Sequence, residues 1–355
     1  MKISKILKKT FIIFKKKYFY KFMTKRVKII AEVGVNHNGQ LALAKKLILA
    51  AADCGADIVK FQIFKADYIA TNKVKKTIYQ RSFETKKHTQ LQMLKKLELS
   101  EQELFKLNNY CKDKKIEFCA SFFETKSLKL HKKLNLKFIK IPSGEITNYF
   151  LLKKIGALGK KIILSTGMSN ILDIQKAINL LTKSGTKLKN ISLLHCNSEY
   201  PSPLKDLNLL VIPELKKIFK TEVGYSDHSM SLSVPISAVA LGSTIIEKHI
   251  TLNRNLKGPD HKASFDPPTF KKMVSLIRET ETSLGKKEKI VSKSEKKNIR
   301  YVRKFLVASR QIKKNEKFSL KNIDTKRAGK GISPMDIKKI LGKKSKRFYK
   351  TDEII

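Results

Sequence analysis

Eight short runs rich in Val, Ile, Leu and Phe recur from Val27 onward, most of them followed by a stretch of helical periodicity, and few folds accept that alternation. The runs are VKIIAEV, ADIVKFQIF, IEFCASFF, FIKIP, KIILST, ISLLHC, TEVGYS and STIIEKHI. Their near-continuous apolar character suits parallel strands covered on both faces, whereas a sheet with one face in water would alternate polar and apolar residues. Helices are predicted at Leu41–Cys54, at 101–114, near 124–134, 148–157, 170–184, 206–219 and 230–241, and from Pro267 to Leu284. Ser100 with Glu103 three residues on forms a capping box for the second of these. Eight such units predict a (β/α)8 barrel, with an open doubly wound sheet as the runner-up. No GxGxxG follows the first strand, which argues against a dinucleotide site.

The segment from Lys65 to Ser100 interrupts the alternation with a polar run, NKVKKTIYQRSFETKKHTQ, and reads as loop with short helices over the open end of the fold. After Leu284 the pattern changes. Residues 285–300 read as an exposed linker and 301–355 as a second domain of short strands and turns, with one short helix at Pro334–Leu341. A domain of about 55 residues is small for independent stability and is expected to dock. The first 22 residues are basic and aromatic, and their apolar run Phe11–Phe14 is too short to cross a membrane. They read as a basic extension or a misassigned start, with Met23 as the natural initiator; the barrel is then expected over 23–284.

With 76 Lys and Arg against 30 Asp and Glu, the chain carries a formal charge of +46. That favours encounter with any polyanion or acidic metabolite. The excess is mostly lysine spread along predicted helices, without Arg-rich blocks or a zinc-finger or KH-like motif, so solvated helix faces are preferred to a specific nucleic-acid surface. The four cysteines, Cys54, Cys111, Cys119 and Cys196, have no CxxC spacing. Free thiols and the absence of a spanning segment point to the cytoplasm.

The chemistry gathers at the ends of the strands. Glu32 ends the first, Lys60 and Gln62 share a face at the end of the second, and Lys140 and Ser143 end the fourth with Glu145 just beyond. Ser165 ends the fifth, His195, Ser198 and Tyr200 follow the sixth, and Ser226, Asp227 and His228 follow the seventh. Glu247, Lys248 and His249 end the eighth, before Asp260 in a GPDH loop. In a barrel these ends converge on one site. A lysine inside an apolar strand is costly unless it meets an anion, so Lys60 and Lys140 with the nearby serines predict an anionic substrate, phosphate foremost. A structural salt bridge is the alternative for either lysine alone. His228 and His249, at successive strand ends, are candidate ligands of a divalent metal, with Glu32 able to extend the shell; core histidines bonded to carbonyls are the alternative. There is no HExxH, P-loop or GxSxG motif.

The motifs IAEVGVNHNG, KFQIFKAD, KIPSGEITN, LSTGMS, LLHCNSEYPSP, GYSDHS, IEKHITL, GPDHKAS and KRAGKGISPMD, in that order, resemble the N-acetylneuraminate (sialic acid) synthases and the related legionaminate synthases. The resemblance covers nearly everything after Met23. It implies a TIM barrel followed by a small antifreeze-like (SAF) domain, in a domain-swapped homodimer where Arg327 of one subunit reaches the sugar held by the other. It assigns phosphoenolpyruvate binding to Lys60, Lys140, Ser143, Ser165, Ser198 and Ser226, sugar binding to Gln62, Tyr200, Asp260 and Arg327, and Mn2+ or Mg2+ to His228 and His249. Glu145 and Glu32 are the candidate catalytic carboxylates. The sequence departs from the commoner pattern at Ser198, where some relatives place Asn, and at Ala328 and Lys330 beside Arg327. The expected reaction joins phosphoenolpyruvate, N-acetylmannosamine and water into N-acetylneuraminate and phosphate; the alternative acceptor is 2,4-diacetamido-2,4,6-trideoxymannose, giving N,N'-diacetyllegionaminate.

Overall fold

A computed structural model describes residues 26–77, 80 and 89–355. The expectations for residues 1–22 lie outside the described residues. Two compact units emerge, the first ending at Gly285 and the second spanning Lys286–Ile355.

In the first unit eight strands close into a barrel: β1 (Lys28–Gly34), β2 (Ile58–Ile63), β3 (Glu117–Phe122), β4 (Phe138–Ile141), β5 (Lys161–Ser165), β6 (Ile191–Cys196), β7 (Glu222–Asp227) and β8 (Ile245–His249). Every neighbour pair is parallel, and β8 returns to β1 with Glu32 opposite His249. Closure excludes the open sheet. Helices connect the strands, and the predicted capping box holds the start of one of them: Glu103 N–H donates to Ser100 Oγ at 3.2 Å and Ser100 N–H to Glu103 Oε2 at 2.8 Å. At the closing seam, Arg278 of the last barrel helix, Pro267–Leu284, pairs with Asp57 at 3.1 Å, and Asp57 accepts Ile29 N–H at 2.8 Å.

The core has two layers. Between strands and helices lies a large cluster including Ile29, Leu47, Phe61, Phe122, Leu151 and Phe270. Inside the barrel sits a small plug of Ile30, Ile58, Cys119, Ile163, Leu194 and Ile245, with Phe138 packed against it. On strand β7 the equivalent position is Gly224, where an added Cβ would collide with the Ile245 backbone and Leu194. Successive residues of a strand point to opposite faces, so the next inward position is two residues on. Those positions are Glu32, Lys60, Ser121, Lys140, Ser165, Cys196, Ser226 and Glu247. One step toward the C-terminal end, the interior of the barrel turns from apolar to polar on seven of the eight strands, with the Cys196 thiol on β6 the exception.

The second unit has its own core of Leu306, Ala308, Ile312, Phe318 and Ile323. Strands β9 (Phe305–Ala308) and β10 (Ile323–Lys326) pair antiparallel, and a short helical turn covers Pro334–Lys339. The stretch read as a linker is exposed, yet its second half forms a helix, Lys293–Val302. Its start is held by another capping box, in which Glu295 N–H donates to Ser292 Oγ at 3.2 Å and Ser292 N–H to Glu295 Oε2 at 2.9 Å. The charge density of KSEKKNIR hid that signal.

Candidate active site

The polar layer floors a cavity of about 320 Å³ at the C-terminal end of the barrel. Lys60, only 3% exposed, lies 3.1 Å from Glu32 Oε2 and 3.3 Å from Glu247 Oε2, and donates to Ser121 Oγ at 3.0 Å. Lys140, 2% exposed, donates to Ser165 Oγ at 2.6 Å and stands 3.6 Å from Glu247 Oε1, which also accepts Ser226 Oγ–H at 2.8 Å. Two buried lysines therefore face two buried glutamates. Burial works against the charge on Lys60, but Glu247 and Glu32 outweigh it and raise its pKa. For Lys140 burial wins over Glu247 and the neighbouring Lys60 adds to it, so its pKa is lowered. Burial likewise opposes ionisation of Glu247, yet Lys140 and Lys60 hold it at about 2, whereas burial pushes Glu32 up despite Lys60. The four charges are not fully matched. Glu32 Oε2 and Glu247 Oε2 are buried without a well-aligned hydrogen bond, so acceptor capacity is left over within reach of Lys60.

Around this floor stand Ser143, Ser198, Gln62, Tyr200 and Asp260, all lining the same cavity. The chain can bring Ser143 and Ser198 together because residue 167 is glycine: a Cβ there would strike both hydroxyls. Gly167 N–H donates to Ser143 Oγ at 3.0 Å. Gly34, at φ 54°, plays a similar part beside Glu32, Gln62 and His249. Gln62 donates to Glu32 Oε1 at 3.3 Å.

The two histidines meet at the rim. Their ring centroids are 5.5 Å apart, and Tyr200 lies over His228 at 4.1 Å and edge-on to His249 at 5.7 Å. His228 Nδ1 is 2.6 Å from the Asn197 carbonyl, which makes it the protonated nitrogen and leaves the lone pair on Nε2. Burial holds His228 at about 4, and burial together with His228 and Lys60 holds His249 well below its ordinary value, so both rings are neutral. His249 Nδ1 is buried without a hydrogen-bond partner, 3.9 Å from Asp260 Oδ2, and burial beside Glu32 raises Asp260 to about 7. Neutral imidazoles with a directed lone pair suit a borderline divalent ion. Among the described residues no set of three or more His, Cys, Asp or Glu forms a closed metal cage.

Of the strand-end residues singled out from the sequence, His195, Asp227, Lys248 and Glu145 do not line this cavity, and Arg327 belongs to the second unit. Glu145 sits on a short turn after β4, half-buried, and accepts Asn148 Nδ2–H at 2.7 Å; burial raises its pKa. Arg327 follows β10 in the second unit, exposed. Conversely, Glu247 and Ser121 belong to the charged floor without a predicted role in it. The spacing that marks Lys60 and Gln62 as sharing a face also marks Glu247 and His249, so Glu247 was within reach of the same argument. Ser121 carried only a weaker signal, one small polar residue inside FCASFF.

Comparison with known proteins gives this arrangement its relatives. Residues 47–289 match the NeuB family and residues 303–355 match the SAF domain. The chain is 50% identical over 331 residues to the N,N'-diacetyllegionaminic acid synthase of Campylobacter jejuni, covering 93% of this chain and 99% of that protein. It is 42% identical to the enzyme of the same name from Legionella pneumophila, covering 88% and 89%. Among solved structures, the N-acetylneuraminic acid synthetase of Leptospira borgpetersenii superposes with a TM-score of 0.68 at 34% identity, covering 78% of this chain and 91% of that one.

Proposed function

This chain belongs to the NeuB family, and from that premise we propose that it condenses phosphoenolpyruvate with 2,4-diacetamido-2,4,6-trideoxymannose and water, giving N,N'-diacetyllegionaminate and phosphate. Carbon–carbon bond formation on an N-acetylated amino sugar is the reaction of the family. The choice of acceptor rests on relatives: identities of 50% and 42% to legionaminate-forming enzymes exceed the 34% to a sialic acid synthetase. The sequence expectation of N-acetylmannosamine gives way to its alternative on that ground.

The observation that carries the reaction is the pair of buried lysines at the strand ends, each within 3.6 Å of Glu247 and each hydrogen-bonded to a serine. Phosphoenolpyruvate brings a phosphate and a carboxylate. Lys60 and Lys140 neutralise them, while Ser143, Ser165, Ser198 and Ser226 supply short donors that fix their orientation. Gln62, Tyr200 and Asp260 face the acceptor. C3 of phosphoenolpyruvate then forms the new bond to the aldehyde carbon, whose oxygen takes up a proton. C2 becomes electron-poor, water adds there with loss of a proton, and cleavage of the C2–O bond releases phosphate. Glu32 and Glu145 are the carboxylates we assign to these proton transfers; Glu32 lines the cavity, and Glu145 follows Ser143 and Gly144, which line it, on the same short turn. His228 and His249 would hold Mn2+ or Mg2+, which when bound supplies Lewis-acid polarisation of the aldehyde.

Phosphate release measured side by side with the two sugars tests the acceptor. Faster turnover of N-acetylmannosamine would overturn it, and undiminished rates after chelation of divalent ions would remove the metal. The small domain enters through Arg327, proposed to complete the site of a second subunit in a domain-swapped homodimer. Mixing inactive Arg327→Ala and Lys140→Ala chains should restore part of the activity, because one site of the mixed dimer then carries both side chains. Mixtures as inactive as their components would exclude the exchange.

A further inference from the structure

The floor of the cavity is charged, but one wall is not. Val35, Phe64, Met93 and Leu97 form a hydrophobic cluster separate from both layers of the barrel core, with Phe123 packed against it. Each of these side chains lines the catalytic cavity. Met93 and Leu97 come from the helix Gln90–Lys96 and its C-cap, in the segment that interrupts the barrel alternation between β2 and β3. The same two residues, with Pro259, also line an adjoining cavity of about 260 Å³. Asn38, Gln80, Lys96 and Lys257 border that annex as well; the Asn38 amide is committed, with Nδ2 donating to the Lys257 carbonyl at 2.9 Å and Oδ1 3.4 Å from His261 Nε2. A hydroxyl set against Met93, Leu97 and Pro259 would lose its water and gain no partner from them.

From this we infer that Met93 and Leu97 are specificity-determining residues, forming a subsite for the deoxy and N-acyl methyl groups at the end of the acceptor sugar away from its aldehyde. The inference rests on the proposed reaction and goes beyond it in naming what selects the acceptor. The trideoxy sugar presents a methyl at C6 and a second acetamido group, where N-acetylmannosamine presents hydroxyls at C6 and C4. An apolar wall distinguishes these modestly, by roughly 10- to 100-fold, because rejecting an added hydroxyl costs only its desolvation. The preference then resides in the wall, while the aldehyde and the phosphate meet groups common to both acceptors.

The test is the ratio of kcat/KM for 2,4-diacetamido-2,4,6-trideoxymannose to that for N-acetylmannosamine, from phosphate release, in the wild type and in Met93→Gln/Leu97→Asn. The double variant is expected to lower the ratio by about ten-fold, mainly by raising KM for the trideoxy sugar. Met93→Gln alone keeps the length of the side chain and should lower it about three-fold, which carries the test if the thermal melt shows the double variant unfolded. A folded variant that still releases phosphate with an unchanged ratio overturns the subsite while leaving the condensation intact. A wild type that prefers N-acetylmannosamine overturns it too. Phosphate release with neither sugar would bring down the reaction and the subsite together.

Discussion

Two groups of buried lysines occupy the same end of the barrel, and they are built differently. Lys248, on the outer face of β8, is fully buried with Asp227 directly opposite on β7. It donates to Asp227 Oδ2 at 2.8 Å and to the Ser229 carbonyl, with the Phe265 ring 4.1 Å from its Nζ, while Asp227 Oδ1 accepts Ser229 N–H at 2.9 Å. One cation meets one anion, and the lone pairs and protons are used. On the inner face, Lys60 is at ion-pair distance from both Glu32 and Glu247 and Lys140 from Glu247, with two carboxylate oxygens left without aligned donors. A closed, saturated pair marks a part of the scaffold, whereas Lys60 and Lys140 line the cavity, where an incoming anion can reach them. Burial alone separates neither lysine from the other.

The sharpest break of this comparison is Lys140→Ala. It should reduce kcat/KM by about 10²–10³-fold, the cost of removing one oriented charge from an excluded site. Stability should change less than for a fully stranded charge, because Glu247, which loses Lys140, keeps Lys60 at 3.3 Å and the Ser226 hydroxyl at 2.8 Å. Normal saturation by phosphoenolpyruvate in that variant would remove the anion-binding role. Lys248→Met should behave in the opposite way. It strands Asp227, 0% exposed, and is expected to cost about 3–5 kcal/mol in chemical denaturation while leaving the residual folded fraction active. A midpoint unchanged from wild type would show that the pair contributes nothing to the scaffold. The smallest effect is expected for Asp227→Leu/Lys248→Met, which removes both charges together. Most of the lost stability should return, short of the wild type by about 1 kcal/mol for the Ser229 N–H left without its acceptor. A double variant as unstable as Lys248→Met would mean that lost packing against Phe265, and not the stranded charge, causes most of the destabilisation.

Much of the barrel was legible because the relevant signals are local. Apolar runs of strand length, Ser100 with Glu103, and the two-residue spacing of Lys60 and Gln62 each depend on residues a few positions apart. The helix at Lys293–Val302 was legible by the same rule and was obscured by its charge. Glu145 shows what proximity in sequence leaves open. It is close in sequence to Lys140 and Ser143, yet the chain turns after Pro142 and carries the carboxylate to Asn148, off the cavity wall.

The order of elements, the family motifs and the confinement of polar side chains to strand ends belong to the sequence alone. Which of those side chains meet does not. In the run Glu247, Lys248, His249 the alternation guarantees that Lys248 opposes its neighbours, but nothing local says which face is inward. Closure decides it: β8 pairs with β1 and β7 in a register that sets Glu247 against Ser226 and His249 against Glu32. The apolar plug beneath then admits only one inward set, since Ile245 and Gly224 must share the same narrow interior. The distribution of charge between an anion site and a salt bridge is therefore a property of the closed barrel, because it depends on distances between residues far apart in the chain, Lys60 and Glu247 among them.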